Sequence, residues 1–285
     1  MPATPVTVLC TVLAMFAFAA NSVFCRLALG RGAIDAASFT LLRFGSGAVI
    51  LLAIHLARRR DWRRVLSCDG ISVAVLCLYA APFSLAYREL TAGTGALLLF
   101  GSVQATMIGS GLRRGERPVP AEWLGLLAAL GGLVYLVSPG VSAPPLAGSA
   151  LMTAAGIAWG LYSLRGRRAG DPLATTASNF LWLVPFAVLF WLAHPVPLAV
   201  SPFGATWAVL SGALASGVGY AIWYAALPAL TATRAATVQL TVPVLAALGG
   251  VPLLGETIRL RLVLSSLLVL GGVGLAIFGR THKRI

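Results

Sequence analysis

The sequence predicts an all-α polytopic membrane protein, with ten transmembrane helices arranged as two inverted five-helix repeats. Three observations carry this: an apolar composition poor in charge, ten apolar runs parted by short breaks, and self-similarity about 140 residues apart. Of the 285 residues, 59% are hydrophobic and 10% charged, with a mean hydropathy of +0.90. A soluble domain averages roughly 25% charged residues. So few charges cannot cover a soluble surface, which excludes a soluble enzyme. Ten helices of about 21 residues, at 1.5 Å rise, each cross a core of about 30 Å and use about 210 residues. The remaining residues make loops and tails and leave no room for a water-soluble domain.

The runs follow from breaks at charges, Gly and Pro, and they are taken in order. The first, 5–27, has no basic segment before it, so it reads as a membrane helix and not as a signal peptide. The second, 35–57, lies between Asp35 and Arg58-Arg59-Arg60, and the third, 69–87, between Asp69 and Arg88. Runs 91–111 and 121–138 flank the basic break at Arg113, Arg114 and Arg117. Run 147–164 stops at Arg165, and run 173–193 starts after Asp171-Pro172. The last three are 206–227, 232–253 and 262–279, with Gly255-Glu256 dividing the final pair. Internal Gly and Pro do not veto membrane helices, because neighbouring helices re-satisfy the freed backbone groups.

Charge placement sets the orientation. With a cytoplasmic N-terminus, that side holds fourteen basic residues: Arg58, Arg59, Arg60, Arg63, Arg64, Arg113, Arg114, Arg117, Arg165, Arg167, Arg168, Arg280, Lys283 and Arg284. The other side holds five: Arg26, Arg31, Arg88, Arg259 and Arg261. This positive-inside bias puts both termini of a multi-pass protein in the cytoplasm. The net charge of +13 is therefore a topology signal, and no nucleic-acid partner is expected. Cys10, Cys25, Cys68 and Cys77 form no CxxC or metal spacing; three lie in or near apolar runs and read as small buried hydrophobes.

Two halves emerge on comparing the chain with itself. Gly115-Glu116 recurs as Gly255-Glu256, and Leu124, Leu127, Leu130, Gly131 and Gly132 recur as Leu264, Leu267, Leu270, Gly271 and Gly272. Phe83 and Tyr87 answer Tyr220 and Tyr224, while Ala20-Asn21-Ser22 answers Ala158-Trp159-Gly160. Residues 1–138 and 147–285 thus form two repeats of five helices. Five is odd, so the second repeat is inverted in the membrane. Alternating-access carriers use this architecture, with the substrate near the midplane between the halves.

These motifs also resemble a known family. Gln239, Pro243, the run Leu253-Leu254-Gly255-Glu256 and Leu270-Gly271-Gly272 resemble the second EamA-type repeat of the drug/metabolite transporter superfamily. Ala158-Trp159-Gly160-Leu161-Tyr162 is similar to its sixth-helix pattern, and Arg43 after Leu41-Leu42 to the arginine common in its second helix. In the first helix a Trp-Gly often found there is replaced by Ala19-Ala20. Within the superfamily the chain most resembles bacterial exporters of neutral and aromatic amino acids (the YddG type). The resemblance implies a ten-helix inner-membrane carrier that moves amino acids or related metabolites outward.

Ionisable residues bear on the cargo. All eight acids (Asp35, Asp61, Asp69, Glu89, Glu116, Glu122, Asp171 and Glu256) fall at run ends or in loops. No basic cluster lies mid-run either, so an uncharged or zwitterionic small molecule is expected. For its charged groups, Asn21, Gln104, Thr237 and Gln239 offer amides and a hydroxyl, and Ser216 adds a second hydroxyl. For its side chain, Phe100, Trp159, Phe83 and Tyr220 offer an apolar wall. Tyr79, Phe83 and Tyr87 share one helix face, as do Ser216, Tyr220 and Tyr224. Helix packing or an interfacial belt accounts equally for these aromatics.

Other residues keep two readings. Pro82 and Pro243 mark gating points or static kinks. Glu116 and Glu256 suit the positive end of the helix that follows each, or a proton relay. Arg43 binds a substrate carboxylate near the outer face or snorkels to the interface. Gly156 and Gly160 fit close helix packing.

The expected function is a monomeric secondary exporter in contact with lipid, without cofactor or metal. Export of another small metabolite, drug or vitamin is the alternative within the same fold. A membrane enzyme would cluster acids or pair His with Asp near one face, whereas His55, His194 and His282 are scattered. A channel would show repeated pore-lining charges or a selectivity loop, and neither is visible.

Overall fold

A computed structural model describes residues 5–58, 62–113, 120–140, 143–166, 171–193, 199–226, 229–230 and 238–278. Every one of the ten apolar runs holds a helix over its described residues. In order these are α1 (Pro5–Leu29), α2 (Ala36–Ala57), the single turn α3 (Arg63–Leu66), α4 (Gly70–Ala86), α5 (Ala92–Arg113) and α6 (Pro120–Val137). They continue as α7 (Leu146–Gly166), α8 (Pro172–Leu192), α9 (Pro202–Val209), a π-helical stretch (Leu210–Val218), α10 (Gly219–Ala226), α11 (Thr241–Leu254) and α12 (Leu260–Phe278). Five segments are long and apolar enough to cross a membrane: Pro5–Leu29, Ala36–Ala57, Ala92–Arg113, Leu173–Leu192 and Pro202–Ala226. Four shorter apolar helices accompany them. The protein is therefore all-α and polytopic, with five helices long and apolar enough to cross a membrane among the described residues, where ten crossings are expected from the sequence.

Local chemistry explains where the helices begin and stop. Asp35, Asp69, Asp171 and Ser201 cap α2, α4, α8 and α9 through side-chain oxygens that accept backbone N–H bonds. Pro172 and Pro202 follow two of these caps at the first helical position, where a missing N–H is harmless. At the other end, Gly255 stops α11 in the left-handed region (φ 67°).

Small residues set how closely the helices pack. A Cβ on Gly156 would lie 2.6 Å from the Leu99 carbonyl oxygen, and one on Gly160 2.9 Å from Thr106 Cβ, so α7 sits tightly on α5 as expected. The π-helical stretch presses Gly212 onto the α2 backbone at Arg43. Where α6 crosses α12, Gly132 faces Ser265, Leu268 and Val269, while Gly272 faces Gly125, Ala128 and Ala129. Every residue in the second set stands 140 positions from its partner in the first.

Of the cysteines, only Cys25 is fully buried, and Cys68 is exposed. The reading of the three in or near apolar runs as buried hydrophobes is corrected for Cys10 and Cys77, which lie on helix faces that the bundle covers only in part.

One end of the bundle is bonded shut. Ile34 and Val200 form an antiparallel bridge, flanked by Asp35 N–H to Ala199 O (2.9 Å) and Ser201 N–H to Ala33 O (2.9 Å). Nearby, Arg26 Nη1 donates to the carbonyls of Tyr87 (3.1 Å) and Arg88 (2.8 Å). Its Nε also pairs with Glu256 Oε1 at 3.5 Å.

Candidate functional site

Five helices deliver aromatic rings to one interior cluster. From α4 come Tyr79 and Phe83, one helical turn apart, with centroids 5.0 Å apart. Trp159 of α7 lies 5.0 Å from Tyr79, 5.4 Å from Tyr162 on its own helix and 5.4 Å from Tyr220 of α10. Phe18 of α1 and Phe180 of α8 complete the ring set around Tyr220, at 5.6 and 6.1 Å. Tyr224 stacks on Tyr220 at 6.3 Å. Such tilted and edge-on pairs suit the ring quadrupole, at roughly 0.5–1.5 kcal/mol each beyond area burial.

Among the described residues one cation enters this cluster. Arg43, the eighth residue of α2, is 1% exposed. Its guanidinium carbon lies 4.5 Å from the Phe83 ring centroid, 5.1 Å from Phe44 and 5.5 Å from Tyr79. Nη2 donates to Tyr79 Oη at 2.9 Å. Nε and Nη1 have no hydrogen-bond partner. Full burial rules out snorkelling, because the side chain packs inward against α4 instead of reaching an interface.

Next to the cluster lies a cavity of about 730 Å³. Ser67, Cys68, Asp69, Arg165 and Gly166 line it at the basic end of the bundle, and Tyr162 and Asn179 line it deeper in. Asn179 Nδ2 donates to Tyr162 Oη at 3.0 Å, while Asn179 Oδ1 is buried without a partner. Tyr162 thus borders both the cavity and Trp159. At the rim, Arg165 Nη2 donates to both Asp69 oxygens at 3.0 Å. The Ser72 hydroxyl bond, and then Arg165, hold the Asp69 carboxyl below the usual carboxylate range.

The residues expected from sequence divide clearly. Tyr79, Phe83, Trp159, Tyr220 and Tyr224 converge. Asn21 Oδ1 instead accepts from Ser211 Oγ at 2.6 Å, tying α1 to the π-helical stretch. Ser216 is buried in that same stretch. Phe100 and Gln104 are buried along α5, and among the described residues neither makes a ring contact or hydrogen bond with the cluster. Gln239 is half-buried just before α11, and Thr237 lies outside the described residues. Pro82 is inside α4 beside Phe83. Pro243 falls in the first turn of α11, where it removes no hydrogen bond within the helix.

Glu256 departs from its expected place. Its carboxylate accepts the N–H of Ala92 (3.0 and 3.1 Å), the first residue of α5, and so serves the dipole of a distant helix and not that of α12. Burial raises its pKa, opposed by the Ala92 N–H and Arg26. Its repeat counterpart, Glu116, lies outside the described residues.

Sequence reasoning left Tyr162, Asn179, Phe180 and Phe18 out of the site. Spacing carried a signal for two of them. Tyr162 falls three residues after Trp159 on the same helix face, and Asn179 is the single amide in its apolar run.

Comparison with known proteins adds independent findings. The sequence signature of the EamA-like transporter family matches residues 6–138 and again residues 146–278. An uncharacterized protein of Pseudomonas aeruginosa is 54% identical over 284 residues, covering 97% of this chain and 96% of that protein. The threonine/homoserine exporter RhtA of Escherichia coli is 30% identical over 266 residues, covering 87% of this chain and 82% of that protein. A protein of known crystal structure shares the fold, with a TM-score of 0.70 over 97% of both chains at 21% identity.

Proposed function

The chain belongs to the EamA-like transporter family, a multi-pass inner-membrane transporter and not an enzyme, and from that premise we propose a secondary exporter of neutral amino acids. Aromatic amino acids and related small metabolites fall within its range. It works by alternating access between two inverted five-helix repeats, and both termini face the cytoplasm. One observation carries the reading. A cavity opens at the basic end and is lined by Tyr162, beside the aromatic cluster, while the opposite end is bonded together among the described residues. By the positive-inside rule the open end is cytoplasmic, so the conformation is inward-open and suited to loading an exporter.

The α6–α12 crossing supports the inverted repeat. Gly132 faces residues 265, 268 and 269, and Gly272 faces 125, 128 and 129. A contact in which i meets the counterpart of j, and the counterpart of i meets j, is the mark of a two-fold axis. Helix neighbours follow the same exchange: α4 packs on α7 as α9 and α10 pack on α1, and α5 packs on α7 as α11 packs on α1. The similarity to a threonine/homoserine exporter supports a small zwitterionic cargo. The rings beside Arg43 support acceptance of aromatic side chains.

Purified protein in liposomes, preloaded with unlabelled amino acid, is expected to drive counterflow of labelled threonine, homoserine or phenylalanine. Absence of substrate-dependent flux across the neutral amino acids refutes the proposal.

A further inference from the structure

The geometry points to Arg43 as the subsite that receives the carboxylate of the cargo. This inference rests on the proposed zwitterionic substrate and adds the group that recognises one end of it.

Arg43 sits seven residues into α2, roughly 10 Å along the helix from its capped end. Water does not reach it, as it is 1% exposed. A buried guanidinium is stable only when paired or hydrogen-bonded, because desolvation of an isolated charge costs several kcal/mol. Here the compensation is incomplete. Three rings face the cation within 5.5 Å, and one of its nitrogens bonds Tyr79 Oη. Nε and Nη1 keep unused donors. Among the described residues no carboxylate pairs with it: Asp35, Asp69 and Asp171 cap helices, Glu89 lies exposed beside Gly148, and Glu256 pairs with Arg26. A planar guanidinium with free donors matches a carboxylate, and the cargo is the carboxylate this interior lacks.

The neighbouring groups place the rest of the molecule. Tyr79 holds Arg43 and also touches Trp159, which borders Tyr162 at the cavity. A zwitterion arriving through the cavity meets the unpartnered Asn179 Oδ1 as an acceptor for its ammonium group. From there it moves past Tyr162 and Trp159 to Arg43, where its carboxylate binds and its side chain lies against the rings.

The test uses a ligand series on the solubilised wild-type chain and on Arg43→Gln and Arg43→Lys. The series comprises phenylalanine, phenylalaninamide and 3-phenylpropionate, with binding read by tryptophan fluorescence and transport by counterflow. For the wild type, the carboxylate-bearing ligands are expected to bind about 10- to 100-fold more tightly than the amide. Arg43→Gln is expected to abolish that preference. Arg43→Lys keeps the charge and the fold and is expected to retain part of it. Equal wild-type affinity for acid and amide, or a preference that survives in Arg43→Gln, overturns the assignment. Binding of 3-phenylpropionate that depends on Arg43, without flux of any amino acid, supports the subsite while refuting the amino-acid cargo.

Discussion

Replacing each glycine of the Gly131-Gly132 and Gly271-Gly272 pairs by alanine tests the α6–α12 contact directly. Within each pair one glycine faces open space and the other faces a helix. A Cβ on Gly131 or Gly271 meets nothing within 4 Å. A Cβ on Gly272 would stand 2.5 Å from the Gly125 carbonyl oxygen and 2.7 Å from the Ala129 nitrogen. Both are backbone atoms, so only a shift of the helices relieves the clash. On Gly132 the nearest atoms are Leu268 Cβ at 2.8 Å, Val269 Cγ2 at 3.0 Å and the Ser265 carbonyl oxygen at 3.1 Å; Leu268 Cβ is fixed by its backbone, so the helices must shift here too, but by less. Gly131→Ala and Gly271→Ala should stabilise by about 1 kcal/mol through helix propensity. The same gain at 132 and 272 is opposed by roughly 1–3 kcal/mol of overpacking. Gly272→Ala should therefore melt roughly 2–12 °C below Gly271→Ala, with about 2–4 °C expected per kcal/mol. Gly132→Ala should fall between them. Thermal unfolding in detergent, followed by circular dichroism, is the assay. Equal melting of Gly271→Ala and Gly272→Ala would refute the close crossing and with it the two-fold contact.

Other expectations follow from the two ends and the cluster. Glu256→Ala removes a charge-assisted bond to Ala92 N–H (about 1.5–3 kcal/mol) and a partly exposed Arg26 pair (about 0.2–1 kcal/mol). The closed end should open more often, and Cys25, buried beside Arg26, should react at least about 10-fold faster with an impermeant maleimide in a background lacking the other cysteines; an unchanged rate removes Glu256 from the closure. Because the Asp69 carboxyl is held low, its contribution is full above the ordinary value near 3.9 and is lost as pH falls through the lowered one. Melting of the wild type from about pH 5 down to about pH 2 should show that loss, and Asp69→Asn should lack it; identical pH slopes count against the bond. Trp159→Ala deletes ring contacts to Tyr79, Tyr162 and Tyr220, each of roughly 0.5–1.5 kcal/mol. Uptake of phenylalanine relative to threonine should drop about 10-fold, and an unchanged ratio takes Trp159 out of the site.

Much of the architecture was legible because a membrane imposes few solutions. Apolar runs mark helices, acids and prolines mark where they begin, and Gly255 marks an end. The aromatic half of the site was readable for a related reason. Tyr79, Phe83, Trp159 and Tyr220 interrupt aliphatic runs at helical spacing, and the repeat pairs two of them. Amides and hydroxyls were harder to assign. Asn21 and Asn179 look alike in sequence, yet one is satisfied by Ser211 and the other lines the cavity with a free oxygen.

By itself the sequence determined the class of protein, the helical runs, their charge asymmetry and the repeat, because these depend on local composition and periodicity. Tertiary structure decided which partners the polar groups found. Arg43 was open to two readings until α2 packed against α4 and buried it among rings. Glu256 looked like a dipole partner for the helix following it, and three-dimensional packing gave it the N-terminus of α5 instead. Hydrogen bonds and ion pairs join atoms within about 3–4 Å whatever their separation along the chain. Their partners exist only once the helices have met.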